Sequence, residues 1–126
     1  MDRMDLFSEQ VCAVIVTYHP DDGLPQRVAL VAPQVGFIII VDNTEGPQVL
    51  PVFSKLAREN ISIIHNKQNL GVAKALNQGV ACAMERGYAW ILTLDQDSSV
   101  DKSLVATYRT FVQSCVDFST LGIIGC

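Results

Sequence analysis

The stretch Trp90-Ile91-Leu92-Thr93-Leu94-Asp95-Gln96-Asp97-Ser98 decides how the rest of the chain is read. An apolar run of β-forming residues stops abruptly at two carboxylates with one residue between them. If the backbone stays extended through the triplet, side chains alternate, so Asp95 and Asp97 point the same way and Gln96 points opposite. Two like charges side by side repel, which suits a divalent cation with oxygen ligands better than it suits stability. An ordinary acidic turn after a strand would also use Asp and Ser. The triplet arises often by chance, so the flanking pattern must decide.

Immediately upstream, Val72, Ala75, Leu76, Gly79, Val80, Ala83 and Met84 recur at three- and four-residue steps, and Gly87 fits a C-terminal stop. This pattern predicts a helix whose small residues let it lie close on a sheet. Before it, Asn66 to Gly71 is an amide-rich loop, and Ile61 to His65 is a short strand. Val52 to about Glu59 reads as a helix with Phe53, Leu56 and Ala57 inward. Gly36 to Val41 is a buried strand that ends at Asp42-Asn43-Thr44, and Leu24 to about Pro33 a short helix with Pro25 in its first turn. Val11 to Thr17 is a continuous apolar, β-branched run, as in a central parallel strand, stopped by Tyr18-His19-Pro20. Residues 1 to 10 are polar and read as a flexible lead-in. Downstream, Asp101 to about Val116 reads as a helix with an acidic residue near its positive end. The chain closes on an apolar, strand-like run from Leu121 to Cys126.

Strands alternating with helices at this spacing predict an α/β fold: a Rossmann-like, mostly parallel sheet with helices on both faces. A final strand without a cap or polar tail leads us to expect the N-terminal part of a longer protein, with residues 11–126 forming half of a domain. The edge of that strand offers a route to self-association.

Composition narrows the function. Hydrophobic residues make up 49% and charged residues 17% of 126, which excludes disorder. Nine basic and thirteen acidic residues give a net charge of -4, with no Lys/Arg cluster, against nucleic-acid binding through phosphates. A negative protein with a negative ligand needs a metal or helix ends to neutralise it. Cys12, Cys82, Cys115 and Cys126 are scattered and read as reduced thiols. There is no signal-peptide pattern, and no apolar run reaches the roughly 20 residues that span a bilayer. The expected location is cytoplasmic, with no membrane segment in this chain.

Ligands of open parallel sheets bind beyond the carboxyl ends of the strands. Those ends are Thr17-Tyr18-His19, Asp42-Asn43-Thr44, His65 to Gly71, and Asp95-Gln96-Asp97. Asp42 follows a run of β-branched residues, so its carboxylate sits on a rigid element and could accept from the N3–H of a pyrimidine. An Asx-turn capping its own loop is the competing reading. Asn69 and Gly71 open the next helix, whose N–H groups could meet a phosphate or sugar hydroxyls, although Asn69 could equally be an N-cap. Lys74 could reach a phosphate or be simply exposed. Asn77, unfavourable in mid-helix, hints at a specific contact. His19 and His65 are assigned no role.

The order Val-Ile-Val-Thr-Tyr, Ile-Val-Asp-Asn-Thr, Asn-Leu-Gly-Val-Ala-Lys-Ala-Leu-Asn-Gln-Gly and Leu-Asp-Gln-Asp-Ser resembles the nucleotide-binding half of a family-2 glycosyltransferase with the GT-A fold. The Tyr-His-Pro, Asn-Leu-Gly-Val-Ala and Asp-Gln-Asp-Ser wording is closest to bacterial rhamnosyltransferases of surface-polysaccharide assembly. The resemblance covers about residues 11 to 126. It implies that Thr17 and Tyr18 line the base pocket, that Asp42 binds the base, and that Asp95 contacts the ribose or the metal. Asp97 would coordinate Mg²⁺ or Mn²⁺ on the diphosphate of a nucleotide-diphosphate sugar, dTDP-rhamnose by the closest wording. It also implies inverting transfer to a saccharide or lipid-linked acceptor hydroxyl, with a carboxylate base. In the family that base lies in the second half of the domain, beyond Cys126. Glu85, Asp101 and Asp117 are poor substitutes on predicted helices. This chain is therefore expected to bind donor or metal without transferring.

Other classes fit less well. A receiver-type signalling domain matches the length and alternation, but wants an acidic pair after strand one and Asp after strand three, where this chain has Thr-Tyr-His-Pro and His65-Asn66. A dehydrogenase would need Gly-x-Gly-x-x-Gly after Val11 to Thr17. A non-catalytic interaction module stays open.

Overall fold

Val11–Thr17 carries nothing that competes with a ladder, and it becomes the central strand β1. A computed structural model describes residues 7–56 and 58–114. Along the chain, β1 is followed by helix α1 (Leu24–Val31), a 3₁₀ turn (Ala32–Gln34), β2 (Phe37–Asp42) and a second 3₁₀ segment (Pro51–Leu56). Then come β3 (Ile61–His65), α2 (Val72–Glu85), β4 (Trp90–Asp95) and α3 (Leu104–Ser114). The described strands pair in the order β3-β2-β1-β4, all parallel.

The two-residue period of the strands sorts the core into two layers. Val11, Ala13 and Ile15 of β1, with Ile38 and Ile40 of β2, pack against Leu24, Val28 and Val31 of α1, Phe53 and Leu56 of the second 3₁₀ segment, and Val105 of α3. Cys12 and Val14, with Phe37, Ile39 and Val41, pack against Ala75 and Ala83 of α2. Helices cover both faces, as the alternation predicts.

The order also separates two fold families. In a receiver-type sheet β1 lies between the second and third strands. Here β3 lies outside β2, and the chain crosses back so that β4 pairs with β1. That reversal places a topological switch point between β1 and β4, where ligands of such sheets bind.

Several element boundaries differ from expectation. α1 ends at Val31, and Ala32–Gln34 tightens into a 3₁₀ turn around Pro33, which lacks an N–H. The helix expected from Val52 to about Glu59 is a 3₁₀ segment, Pro51–Leu56, which buries Val52, Phe53 and Leu56. Side chains three apart eclipse in that geometry, which sets Phe53 and Leu56 on one side. Ala57 lies outside the described residues. On α2 the buried line is Ala75, Gly79 and Ala83, and the expected stripe is too wide. Val72 and Met84 are 63% and 66% exposed. Met84 sits roughly 140° around the helix from Gly79, and Val72 sits at the first residue, level with the loop after β2.

A Cβ on Gly79 would fall 2.3 Å from Val14 Cγ1, so the absence of a side chain lets α2 rest directly on β1. Asp101 precedes α3 and caps its entry: Oδ1 accepts from Ser103 N and Oγ at 2.8 and 2.6 Å. Gln34 fastens α3 to α1, its Oε1 accepting from Val105 N at 3.0 Å and its Nε2 donating to the carbonyls of Leu30 and Asp101. At the other end of the described chain, Phe7 packs 5.9 Å from the ring of Trp90, and the Gln10 carbonyl accepts from Ala89 and Trp90 N. The expected continuation to Val116 and the strand-like run from Leu121 to Cys126, with its edge, lie outside the described residues. Among those described, no helix is long and apolar enough to cross a membrane.

Candidate functional site

Parallel register lines up the carboxyl ends. Thr17 is opposite Asp42, Asp42 is opposite His65, and Val16 is opposite Asp95. The register therefore brings all four expected polar strand ends to one edge, with Asp95 one rung behind Thr17.

Asp42 is 4% exposed, and its two oxygens differ. Oδ1 accepts from Thr17 Oγ1 at 2.9 Å and Thr44 Oγ1 at 2.8 Å, with Thr44 N at 3.4 Å. The Asx-type turn is thus real, and it consumes only one oxygen. Oδ2 faces His65 Nδ1 at 3.7 Å, beyond hydrogen-bond distance. His65 is held in turn by the ring of Phe53, edge-on at 5.0 Å. Thr17 is fully buried, so it acts as a support for Asp42 rather than as a wall facing a ligand.

β4 ends at Asp95, and the backbone turns there, with Ser98 N donating to the Asp95 carbonyl at 3.1 Å. The extended run expected through the triplet therefore stops two residues short, and Gln96 and Asp97 occupy a turn. The Gln96 amide reaches across to β1: its Oε1 accepts from Tyr18 N at 2.7 Å, and its Nε2 donates to Tyr18 O at 3.1 Å. The Gln96 carbonyl accepts from Arg27 Nε at 2.6 Å, and Arg27 Nη2 pairs with Asp21 at 2.8 Å. That guanidinium holds the Asp21 carboxyl below its usual range. Asp95 and Asp97 are exposed, and among the described residues neither carboxylate forms a hydrogen bond or ion pair. Among those residues no group of three or more His, Cys, Asp or Glu could hold a metal ion by itself. Two hard oxygen donors open to solvent still fit Mg²⁺ or Mn²⁺ that takes its remaining ligands from phosphates and water.

Tyr18 is 42% exposed and stands beside the acidic turn. Its hydroxyl donates to Glu45 Oε2 at 2.7 Å, and Glu45 Oε1 lies 2.9 Å from His19 Nε2. The His19 ring meets Tyr18 edge-on at 4.4 Å, with its backbone at a positive φ of 44° and its N–H on Thr44 Oγ1 at 2.8 Å. The shared bond raises the Tyr18 phenol and lowers the Glu45 carboxyl.

An amide ladder ties α2 to this edge. Asn43 Nδ2 donates to the Gly71 carbonyl at 3.1 Å, Asn66 Nδ2 to Asn43 Oδ1 at 2.8 Å, and Asn66 and Gln78 exchange bonds of 2.8 and 2.9 Å. Gly71, at φ 87°, is the N-cap of α2, a backbone that favours glycine, and no side chain caps the helix. Asn69 closes the turn before it through Gly71 N at 3.0 Å. Lys74 and Asn77 are exposed. The specific amide contact expected of Asn77 is made by its neighbour Gln78.

The profile of glycosyl transferase family 2 matches residues 12–121. The chain belongs to that family. The dTDP-rhamnosyl transferase RfbF of Shigella flexneri is 31% identical to it over 109 residues, which are 85% of this chain and 36% of that protein. The chain thus spans about a third of the length of this relative. Within the family 2 chain, sequence reasoning singled out Asp42, Asp95 and Asp97 as strand-end residues; the structure has Asp42 and Asp95 at the ends of β2 and β4 and Asp97 in the turn that follows. It missed Gln96, Glu45, His65 and Arg27, whose partners lie 78, 27, 23 and 69 positions away.

Proposed function

We propose that this family 2 chain binds the nucleotide end of a pyrimidine nucleoside diphosphate sugar, dTDP-rhamnose by the likeness to the Shigella flexneri protein. The protein to which it contributes would transfer that sugar with inversion to a saccharide or lipid-linked acceptor. The observation that carries this reading is the register of the rim, which sets Asp42 on one side of β1 and the Asp95 turn on the other. A ligand lying across β1 meets both.

Asp42 Oδ2 would accept the N3–H of the base, its partner oxygen being held by two hydroxyls. An acceptor-only carboxylate favours thymine or uracil over cytosine, whose N3 is itself an acceptor. Tyr18 would flank the base, with Thr17 positioning Asp42 behind it. Asp97, with Asp95, would hold Mg²⁺ or Mn²⁺, which when bound supplies Lewis-acid stabilisation of the departing diphosphate. Lys74, Asn77 and the first turn of α2, entered through Asn69 and Gly71, would serve the phosphates or sugar hydroxyls. The acceptor's proton needs a carboxylate base, and we assign that role to none of the described residues.

Calorimetry with dTDP, with and without Mn²⁺, tests the reading. The expected result is binding that tightens with Mn²⁺, and loss of that gain in Asp97→Ala. A folded sample that binds no dTDP, or an Asp97→Ala protein that keeps the whole Mn²⁺ gain, would overturn it.

A further inference from the structure

The residue between the two carboxylates carries a contact that an acidic cation site does not itself require. The β1–β4 ladder reaches Val16 opposite Asp95, where β4 ends and its chain turns. Beyond that rung the Gln96 side chain takes the place of a strand. Its carboxamide offers one acceptor and one donor to the two backbone groups of Tyr18, at 2.7 and 3.1 Å, so one more rung is added from a side chain. On its other side the Gln96 carbonyl is held by Arg27 Nε at 2.6 Å, and Arg27 is itself oriented by Asp21. The turn that displays Asp95 and Asp97 is therefore tied to β1 and to α1 at once. Without those ties the only bond closing it among the described residues is Ser98 N to Asp95 O. Two exposed carboxylates that repel each other would favour other arrangements of such a turn.

We infer that Gln96 is a positioning residue that couples the two ends of the nucleotide site: it fixes the acidic turn relative to Tyr18, so that the cation end and the nucleoside end favour each other's occupation. This inference rests on the donor-binding reading above. Its physical basis is preorganisation: a ligand that bridges two elements held in register loses less in ordering them than one that must bring them together. Gln96 contacts neither base nor cation in this role. A glutamine suits it because the carboxamide pairs with both groups of a peptide, whereas a carboxylate could only accept and an asparagine is one methylene shorter.

The coupling is read as the factor by which Mn²⁺ tightens dTDP binding, measured by calorimetry on the whole chain with and without EDTA. Gln96→Ala removes the amide, and Gln96→Met keeps the length of the side chain without its hydrogen bonds; thermal melts confirm that each is folded. The Mn²⁺ gain is expected to fall about tenfold in both, the scale of two ordinary hydrogen bonds, and by more than the metal-free affinity falls. A gain kept within about twofold, or a metal-free affinity that falls as far as the affinity with Mn²⁺, would overturn the inference, the second result marking Gln96 as a merely structural clamp. If wild-type protein binds dTDP with a full Mn²⁺ gain and the variants do as well, only the inference fails. If folded wild-type protein binds no dTDP, the donor reading fails and takes the inference with it.

Discussion

Thr17 donates its hydroxyl to Asp42 Oδ1 at 2.9 Å on the rung where the two residues are register partners. Both are buried, and the groups within hydrogen-bond distance of Oδ1 are hydroxyls and a backbone N–H, with His65 Nδ1 3.7 Å from Oδ2, so hydrogen bonds compensate Oδ1. Thr17→Val keeps the shape and removes one donor. It should lower unfolding stability by about 1–3 kcal/mol and weaken dTDP binding, while Thr17→Ser retains most of both. Urea unfolding and calorimetry check the pair of effects; an unchanged Thr17→Val protein would show that Thr44 alone suffices.

Gly79→Ala sets two effects against each other. In an exposed helix the change would gain about 1 kcal/mol from propensity. Here the new Cβ would lie 2.3 Å from Val14 Cγ1, and α2 would have to lift from the sheet. Overpacking of this kind costs about 1–3 kcal/mol, so the net effect should be destabilising. Adding Val14→Ala should recover part of the loss beyond additivity, which a double-mutant cycle of denaturation midpoints measures.

The Tyr18–Glu45 contact should show in titration. Their hydrogen bond raises Tyr18 above its ordinary 10.0 and lowers Glu45 below its ordinary 4.5. The raised group contributes stability that is complete below 10.0 and lost as pH rises through its folded value. The lowered group contributes stability present above 4.5 and lost as pH falls through its folded value. The contact is therefore fully effective between those limits, and solvent exposure keeps its contribution small. In Glu45→Ala, ultraviolet titration should show one tyrosine moving down towards 10.0, while Tyr88 stays raised by burial.

Cys12 should be chemically silent. Burial first, and then the neighbouring Cys82, push its thiol up to about 11, against a smaller opposing effect of Arg86. The thiolate, which is the nucleophile, is then scarce at neutral pH, and the site is closed to reagents. Iodoacetamide at pH 8 should label Cys82 at least about 100-fold faster than Cys12 in native protein, with the difference abolished in denaturant. Peptide mass spectrometry after timed quenching reads both rates.

What could be read without coordinates was whatever depends on near neighbours along the chain. Continuous β-branched runs at Val11–Thr17 and Phe37–Asp42 specify buried strands, and their alternation with helical segments specifies the sheet and its two covered faces. Asp42 and Asp95 could be placed on one edge because a parallel strand's end follows from where its apolar run stops. Prediction failed where packing overrides periodicity: Pro51–Leu56 tightens to a 3₁₀ segment, and Met84 falls outside the buried line of α2.

Local chemistry by itself determined the α/β class, the polar rim and the three aspartates on it, since side-chain period and propensity act over a few residues. Only the tertiary structure decided the strand order that separates this sheet from a receiver, the use of one Asp42 oxygen by two threonines, and the bond from Gln96 to Tyr18. Apart from the local bond of Thr44 to Asp42, each of these joins residues far apart in the chain, as with the 78 positions between Tyr18 and Gln96. A hydrogen bond depends on the final distance between its groups, and that distance is a property of the packed sheet rather than of any stretch of sequence.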